Sequence, residues 1–335
     1  MVLAGDIGGT KTLLCLLGCS VGERHRLWEQ RFASQSYDNF DLLLETFLSQ
    51  ARAQLPSFTV EAACLAIAGA VIDGQSQLTN LNWHLDAQAL GQKFAIPQMS
   101  LVNDFVAVGY GTLTLPPSDL YILQAGVAVA NAPKAILGVG TGLGEAYIVL
   151  SADGPRVFAS EGSHGSFAPT TPLESELLTY LWQFYPRVSI ERVVSGQGIP
   201  LIYQFLRDRH RDRTNPELEH LLQQQTTDPA AAIAQYALDH RDALALQTME
   251  LFISCYGAEA GDLALKILAC GGVYLAGGIT PKILPLLTAG PLLSSFHHKG
   301  RFRSFMERIP LMAITNPDVG LLGASYLAQD LMAKN

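Results

Sequence analysis

The chain has 335 residues, 49% of them hydrophobic and 16% charged, with a formal net charge of −8. That length is long for one core and comfortable for two lobes, with ample apolar material for buried sheets. The acidic balance leaves no basic stripe to neutralise phosphates, which argues against nucleic acid as a partner.

Val2, Leu3 and Ala4 lead into Gly5-Asp6-Ile7-Gly8-Gly9-Thr10-Lys11-Thr12, and a second apolar run, Leu13 to Leu17, follows. This predicts strand, tight glycine turn, strand over residues 1–18. Paired glycines can turn with positive φ and present bare N–H groups to an anion. Thr10 and Lys11 add donors suited to phosphate. Asp6, just before the turn, could hold Mg²⁺ through water, because that ion takes one or two carboxylates with phosphate oxygens. The segment also matches the P-loop pattern except at Thr10, where that pattern requires glycine. A P-loop must open a helix, whereas the run after Thr12 is short, apolar, uncapped and ends at Gly18. A nucleotide-phosphate hairpin is the reading that fits, with a plain structural hairpin as its alternative.

A polar stretch with Glu23, Arg24 and Arg26 leads to an amphipathic helix near 38–54, capped by Asp38 or Asn39. Ala62 to Ile67 reads as a buried strand that ends at Ala68-Gly69-Ala70. Gln98 to Val102 is another strand and stops at Asn103-Asp104. Alternating strands and helices imply an α/β fold with parallel crossovers. Ligands in such sheets bind at the carboxyl ends of strands, so Asp104 is a candidate general base for phosphoryl transfer to a hydroxyl. Asn103 beside it can donate and accept to a polyol. The competing role for this pair is a helix N-cap.

Pro116-Pro117 is the linker candidate between the lobes, and the second lobe opens with a strand from Tyr121 to Val127. The glycine hairpin then recurs: Ala135 to Leu137 runs into Gly138-Val139-Gly140-Thr141-Gly142-Leu143-Gly144 and out through Glu145 to Leu150. Two such hairpins suggest a duplicated fold, with one hairpin from each lobe closing on one nucleotide. After a strand from Arg156 to Ala159 comes Glu161-Gly162-Ser163-His164-Gly165, where small neighbours leave room for a ligand. Glu161 supplies acceptors for sugar hydroxyls, and His164 a donor or acceptor. Thr171, Pro172 and Glu174 spell a helix start, and Leu173, Leu177, Leu178, Leu181 and Trp182 form its core face. Glu191-Arg192 reads as a helix start favoured by its acidic residue. A long helical section covers about 198–268, with breaks at Thr214–Pro216 and Thr226–Pro229. Within it Arg207, Arg209, Arg211 and Arg213 alternate with Asp208 and Asp212 as a solvated helix end. Gly271 to Ile279 is a strand ending in glycines, Thr280-Pro281 starts a helix, and Leu321 to Ala333 is a helix crossing back to the first lobe.

The longest weakly polar stretch, 267–279, has 13 residues and four glycines, short of the ~20 that span a bilayer. Asp6 and Lys11 interrupt the N-terminal apolar run, so no signal peptide is expected. The five cysteines, at 15, 19, 64, 255 and 270, are odd in number and mostly lie in apolar runs. They read as buried hydrophobes in a reducing compartment, and a cytoplasmic enzyme is expected. Cys15 and Cys19 have no further Cys or His nearby to complete a zinc site.

Together these pieces resemble the bacterial glucokinase family, within the sugar kinase/heat-shock 70/actin superfamily of two-lobed ATPases. The resemblance rests on Gly5-Asp6-Ile7-Gly8-Gly9-Thr10, Leu101-Val102-Asn103-Asp104-Phe105, Gly140-Thr141-Gly142-Leu143-Gly144 and Glu161-Gly162-Ser163-His164. Glu191-Arg192-Val193-Val194-Ser195-Gly196, Ala276-Gly277-Gly278-Ile279 and Asn316-Pro317-Asp318-Val319-Gly320-Leu321-Leu322-Gly323 follow in the family's order. It implies a duplicated, ribonuclease H-like actin fold with mixed sheets and a cleft. The smaller lobe would be 1–114 with 318–335, and the larger 115–317.

By the same resemblance the reaction is ATP-dependent phosphorylation of D-glucose to glucose 6-phosphate, with Asp104 as base for the 6-hydroxyl. Asn103, Glu161, His164 and Glu191 would hold the other hydroxyls. Gly5, Asp6, Ile7, Gly8, Gly9 and Thr10 would meet ATP·Mg²⁺ from one lobe, and Gly140, Thr141 and Gly142 from the other. Gly277 and Gly278 would line the adenosine site, lobe closure would exclude water, and a homodimer is implied. Ser163 stands where the family usually has glycine. Lys11 is more typical of a neighbouring family of repressors and sugar kinases, but that family's Cys-rich motif is missing, with no Cys between 64 and 255. The competing functions are a kinase of another hexose or N-acetylhexosamine, and a non-catalytic actin-like ATPase or sugar sensor.

Overall fold

The computed structural model describes residues 1–20, 23–55, 57–78, 80–224 and 227–333, with the backbone alone for Cys19, Ser20, Glu23 and Arg24. Thr226, at the second expected break in the helical section, and the Cys19, Glu23 and Arg24 side chains therefore lie outside it. The chain divides into two compact units, Met1–Pro117 with Pro317–Asn335, and Ser118–Asn316.

The first unit opens with the expected hairpin, β1 (Val2–Ile7) and β2 (Lys11–Ser20), followed by β3 (Glu23–Ala33). Helix α1 (Phe40–Gln54) comes next. Of its two candidate caps Asn39 serves: its side chain accepts the Leu42 N–H. Phe40, Leu43, Leu44, Phe47, Leu48 and Ala51 form the buried stripe of α1. Strand β4 (Ala62–Ile67) is buried along its whole length, as a central parallel strand must be. A small ribbon, β5 (Gln75–Leu78) and β6 (Trp83–Asp86), precedes α2 (Ala87–Phe94), β7 (Gln98–Asn103) and α3 (Asp104–Thr112). The sheet runs β3-β2-β1-β4-β7, antiparallel on its first side and parallel from β1 to β7.

The second unit contains β8 (Leu120–Gln124), β9 (Lys134–Val139), β10 (Leu143–Ser151) and β11 (Gly154–Ser160). Helices α4 (Pro172–Leu181), α5 (Gly198–Arg209), α6 (Pro216–Gln223), α7 (Pro229–Leu238) and α8 (Ala243–Ile267) follow. Next come β12 (Val273–Ala276), α9 (Leu284–Ala289), α10 (Leu292–His297), α11 (Arg303–Met306) and β13 (Leu311–Ile314). Its sheet is β11-β10-β9-β12-β13-β8. Without the antiparallel edge strand β8, the order and directions reproduce the first sheet, with β9, β10, β11, β12 and β13 standing for β1, β2, β3, β4 and β7. The duplication read from two glycine turns extends to five strands.

After the second unit the chain returns as α12 (Val319–Ala333) to pack on α3 and on strands β1 and β4 of the first. The two helices touch backbone to backbone: a Cβ on Gly111 would collide with the Val319 carbonyl, and one on Gly323 with that of Ala107. One apolar cluster lies under α1 and α2, and another between the strands and α3 with α12.

Several element expectations change in the structure, and strand β8 stops at Gln124, short of the expected Val127. Thr171, Pro172 and Glu174 do form a full capping box, but Trp182 is 56% exposed rather than core. Helix α4 ends at Leu181, so its stripe stops one residue short. The helix after Thr280-Pro281 begins only at Leu284, because residues 280–283 form a turn in which the Thr280 hydroxyl donates to the Ala276 carbonyl. The helical section also breaks at Asp239–Asp242, where Asp242 caps α8 by accepting the Ala245 N–H.

Candidate active site

In the first hairpin Gly5 and Ile7 are buried strand residues, with Gly5 wedged between Leu14 and Leu65. The turn closes on itself, since the Gly8 N–H donates to the Lys11 carbonyl at 2.9 Å. Gly9 and Thr10 form the tip of that turn. Ser34, in the turn after β3, braces the loop: its hydroxyl donates to the Gly8 carbonyl at 2.8 Å and its N–H to the Thr10 carbonyl at 3.0 Å. A Ser34–Thr12 hydroxyl pair at 2.9 Å completes the brace.

Asp6 lies beside Asp318 at the start of α12, and Asp318 accepts from Arg26 at 3.0 Å and Arg31 at 3.3 Å. Burial, then the negative charge of Asp318, pushes Asp6 up from 3.8 to about 6, against the opposing pull of Arg31. A buried carboxylate held beside a second one, and so disfavoured as an anion, is what a hard divalent cation would relieve, so the residues fit the Mg²⁺ expected at Asp6. Sequence reading missed Asp318 as the partner. Its signal was present in the motif Asn316-Pro317-Asp318, but nothing local tied it to a carboxylate 312 residues earlier.

At the carboxyl end of β7 the two readings of Asn103-Asp104 separate. Asn103 is the N-cap of α3: its amide oxygen accepts the N–H of Phe105 at 2.9 Å and of Val106 at 3.3 Å. Its amide nitrogen donates to the Gly69 carbonyl in the turn after β4 at 3.1 Å. Asp104 is the first helical residue, with its carboxylate accepting the Phe105 N–H at 2.9 Å.

The second unit gathers Glu161, His164 and Glu191. His164 Nε2 lies 3.6 Å from Glu161 and its Nδ1 3.9 Å from Glu191. Two loop segments are zipped together to make this cluster. Glu191 N–H donates to the Ser163 carbonyl at 3.1 Å, Ile190 to Gly165 at 2.9 Å, and Phe167 to Val188 at 3.0 Å. Ser163 itself is 2% exposed, so the residue that departs from the family's glycine points into the protein. Residues 191–193 form a turn and α5 starts only at Gly198, so Glu191 opens no helix.

Instead Glu191 reaches the second hairpin. Its carboxylate accepts the Leu143 N–H at 3.0 Å, and a Cβ on Gly142 would lie 2.5 Å from the same oxygen. The turn closes by Gly140 N–H to the Gly142 carbonyl at 2.9 Å, and Gly196 N–H donates to the Gly140 carbonyl at 2.8 Å. Gly277 has φ +86° and packs against the Val139 backbone, so that glycine is required there. Gly140 and Gly278 face open space. The hairpin and the sugar-type cluster thus share one carboxylate, a link that sequence reading did not find.

A family model described as glucokinase matches residues 3–331. A glucokinase of Trichormus variabilis is 47% identical over 343 residues, covering 99% of each chain. Among solved structures, a glucokinase from an Antarctic psychrotroph superposes with a TM-score of 0.82 at 31% identity and 98% coverage of both chains. Balamuthia mandrillaris glucokinase, solved in complex with glucose, gives 0.79 at 25% identity, covering 98% of this chain and 93% of that one. With the duplicated sheet and both hairpins in place, this chain belongs to the glucokinase family.

Proposed function

We propose that the chain's glucokinase reaction, transfer of the ATP γ-phosphoryl group to the 6-hydroxyl of D-glucose, runs with Asp104 as general base. The Asp104 carboxylate accepts the hydroxyl proton as the sugar oxygen bonds to the γ-phosphorus. The bond from that phosphorus to the β,γ-bridging oxygen breaks, and ADP leaves. Glu161, His164 and Glu191 orient the sugar through its other hydroxyls, and Asn103 uses its remaining amide hydrogen. Gly9 and Thr10, with Gly140, Thr141 and Gly142, offer N–H and hydroxyl donors to the phosphates, and Gly277 and Gly278 border the adenosine. Asp6 would hold Mg²⁺ through water, and the ion would neutralise charge on the phosphate oxygens. A cytoplasmic location and a homodimer belong to the same reading. Among the described residues no helix is long and apolar enough to cross a membrane.

The observation that carries this reading is the division of labour at the β7–α3 junction. Asn103 makes two capping bonds to α3, and Asp104, whose carboxylate also meets the Phe105 N–H, stands directly at the carboxyl end of parallel strand β7, where ligands of such sheets bind. Asp104→Asn tests it. The expected kcat loss is roughly 10²–10⁴-fold, while calorimetric glucose binding survives within about tenfold. Turnover near that of the unmodified chain would remove Asp104 from the role. A panel of glucose, mannose, fructose, N-acetylglucosamine and N-acetylmannosamine checks selectivity, with glucose expected to lead. Preference for an N-acetyl sugar would keep the base and overturn the substrate.

A further inference from the structure

A carboxyl group with no place in that reaction is buried directly beneath the sugar loop. Glu145, near the start of β10, is 1% exposed, and one of its carboxyl oxygens has no hydrogen-bond donor. The other lies where a Cβ of Gly162 would be, so position 162, between the proposed sugar ligands Glu161 and His164, requires glycine. Across the layer, on α8, stands Glu259, 8% exposed, which accepts from Lys266 at 3.4 Å. Ionising both carboxyls would place two like charges together with one of their oxygens unsatisfied. A proton on Glu145 removes the like-charge clash, because the acid form can donate to Glu259, which keeps its Lys266 partner.

We propose that Glu145 is a positioning residue for glucose: its protonated carboxyl, seated under Gly162 and hydrogen-bonded to Glu259, holds the Glu161–His164 loop in its sugar-binding form. The inference rests on Glu161 and His164 as sugar ligands. Burial, then the negative charge of Glu259, pushes Glu145 up from 4.5 to about 7, and Lys266 opposes them. The hydrogen bond with Glu259 and the charge of Glu161 add to the rise. Glu259 is itself held above its ordinary range by burial, against Lys266 and Lys299 and with Asp262. Lys299 is tied to Asp262 at 2.5 Å and to the Ala258 carbonyl at 2.8 Å, so α8 and the segment after α10 supply the surrounding charges. Loss of the proton puts a third negative charge beside Glu161 and Glu259. The loop then yields at Gly162, which the Glu145 carboxyl packs against.

The experiment is the pH dependence of the glucose KM and, separately, of the calorimetric glucose Kd, in the unmodified chain and in Glu145→Gln. Glutamine has the same size and donates to Glu259 at every pH. In the unmodified chain KM and Kd should rise about threefold or more from pH 6.5 to 8.5, and no faster than the tenfold per unit that one proton allows. In Glu145→Gln that rise should vanish, with kcat at saturating glucose following the same pH profile in both proteins. Equal KM profiles in the two chains would overturn the proposal. So would a flat profile in the unmodified chain, which needs no variant to fold. If the unmodified chain does not phosphorylate glucose at all, the proposed function fails instead, a distinct result.

Discussion

The two glycine hairpins share a turn and differ in what braces it. The first is held by Ser34, its neighbour along the same sheet, and carries a strained carboxylate, Asp6, at its base. The second is held from a distance, by Glu191 and Gly196 of the loop before α5. A local brace serves one ligand. A brace that is also a proposed sugar ligand makes hairpin and sugar cluster respond to each other, so duplication has kept the turn and reassigned its support.

Breaking the distant brace should have the largest effect. Gly142→Ala puts a Cβ 2.5 Å from the Glu191 carboxylate, and displacing that group by about an ångström should cut kcat/KM for glucose roughly 10²-fold. Steady-state kinetics with both substrates varied would show ATP and glucose affinities worsening together, and a change confined to ATP would uncouple the two sites. Ser34→Ala, by contrast, strips the Thr12 hydroxyl, 0% exposed, of its partner and frees the Gly8 carbonyl. Denaturant unfolding should report a loss of about 1–3 kcal/mol, with the ATP KM raised and the glucose KM unmoved. A matching rise in the glucose KM would show that the first hairpin is coupled too.

Gly140→Ala sharpens the contrast, because a Cβ there meets nothing within 4 Å. Its melting temperature should hold while the ATP KM rises about tenfold, equivalent to ~1.4 kcal/mol. An unchanged ATP KM would place the phosphates elsewhere. The smallest effect concerns pH. Asp6 keeps its proton up to about pH 6 in the folded chain and only to about 3.8 when unfolded, so the folded state loses stability as pH rises between those values. Asp6→Asn removes that loss. Without ATP and Mg²⁺ its melting temperature should equal that of the unmodified chain near pH 3.5 and exceed it by a few degrees at pH 7. An equal difference at both pH values would mean that Asp6 is not held above its ordinary range.

Local chemistry made much of this legible. Runs of apolar residues broken by glycine marked both hairpins, Ala62–Ile67 is the strand with its ends as read, and Thr171, Pro172 and Glu174 announced α4. What was hidden depends on partners far along the chain. Glu191 looked like a helix start because its true acceptor role requires Leu143, 48 residues earlier, to be folded against it. Asp6 gave no sign of Asp318. Glu145 interrupts the outgoing strand of the second hairpin and carries no local mark that α8 will set Glu259 opposite it. Trp182 shows the reverse failure: it continues the periodic stripe of α4, but the helix has already ended.

The seating of α12 on α3 has a consequence for biosynthesis. The helix that begins with Asp104 is made early, yet the backbone surface that meets Gly111 arrives only after all of Ser118–Asn316 has been translated. At about 5–20 residues per second that is a wait on the order of 10–40 s. Ser118–Asn316 is uninterrupted and is free to fold during it. The nascent chain can therefore assemble the loops proposed to orient the sugar first, and it completes the support of the helix that carries the proposed base, Asp104, last, once the returning helix has docked.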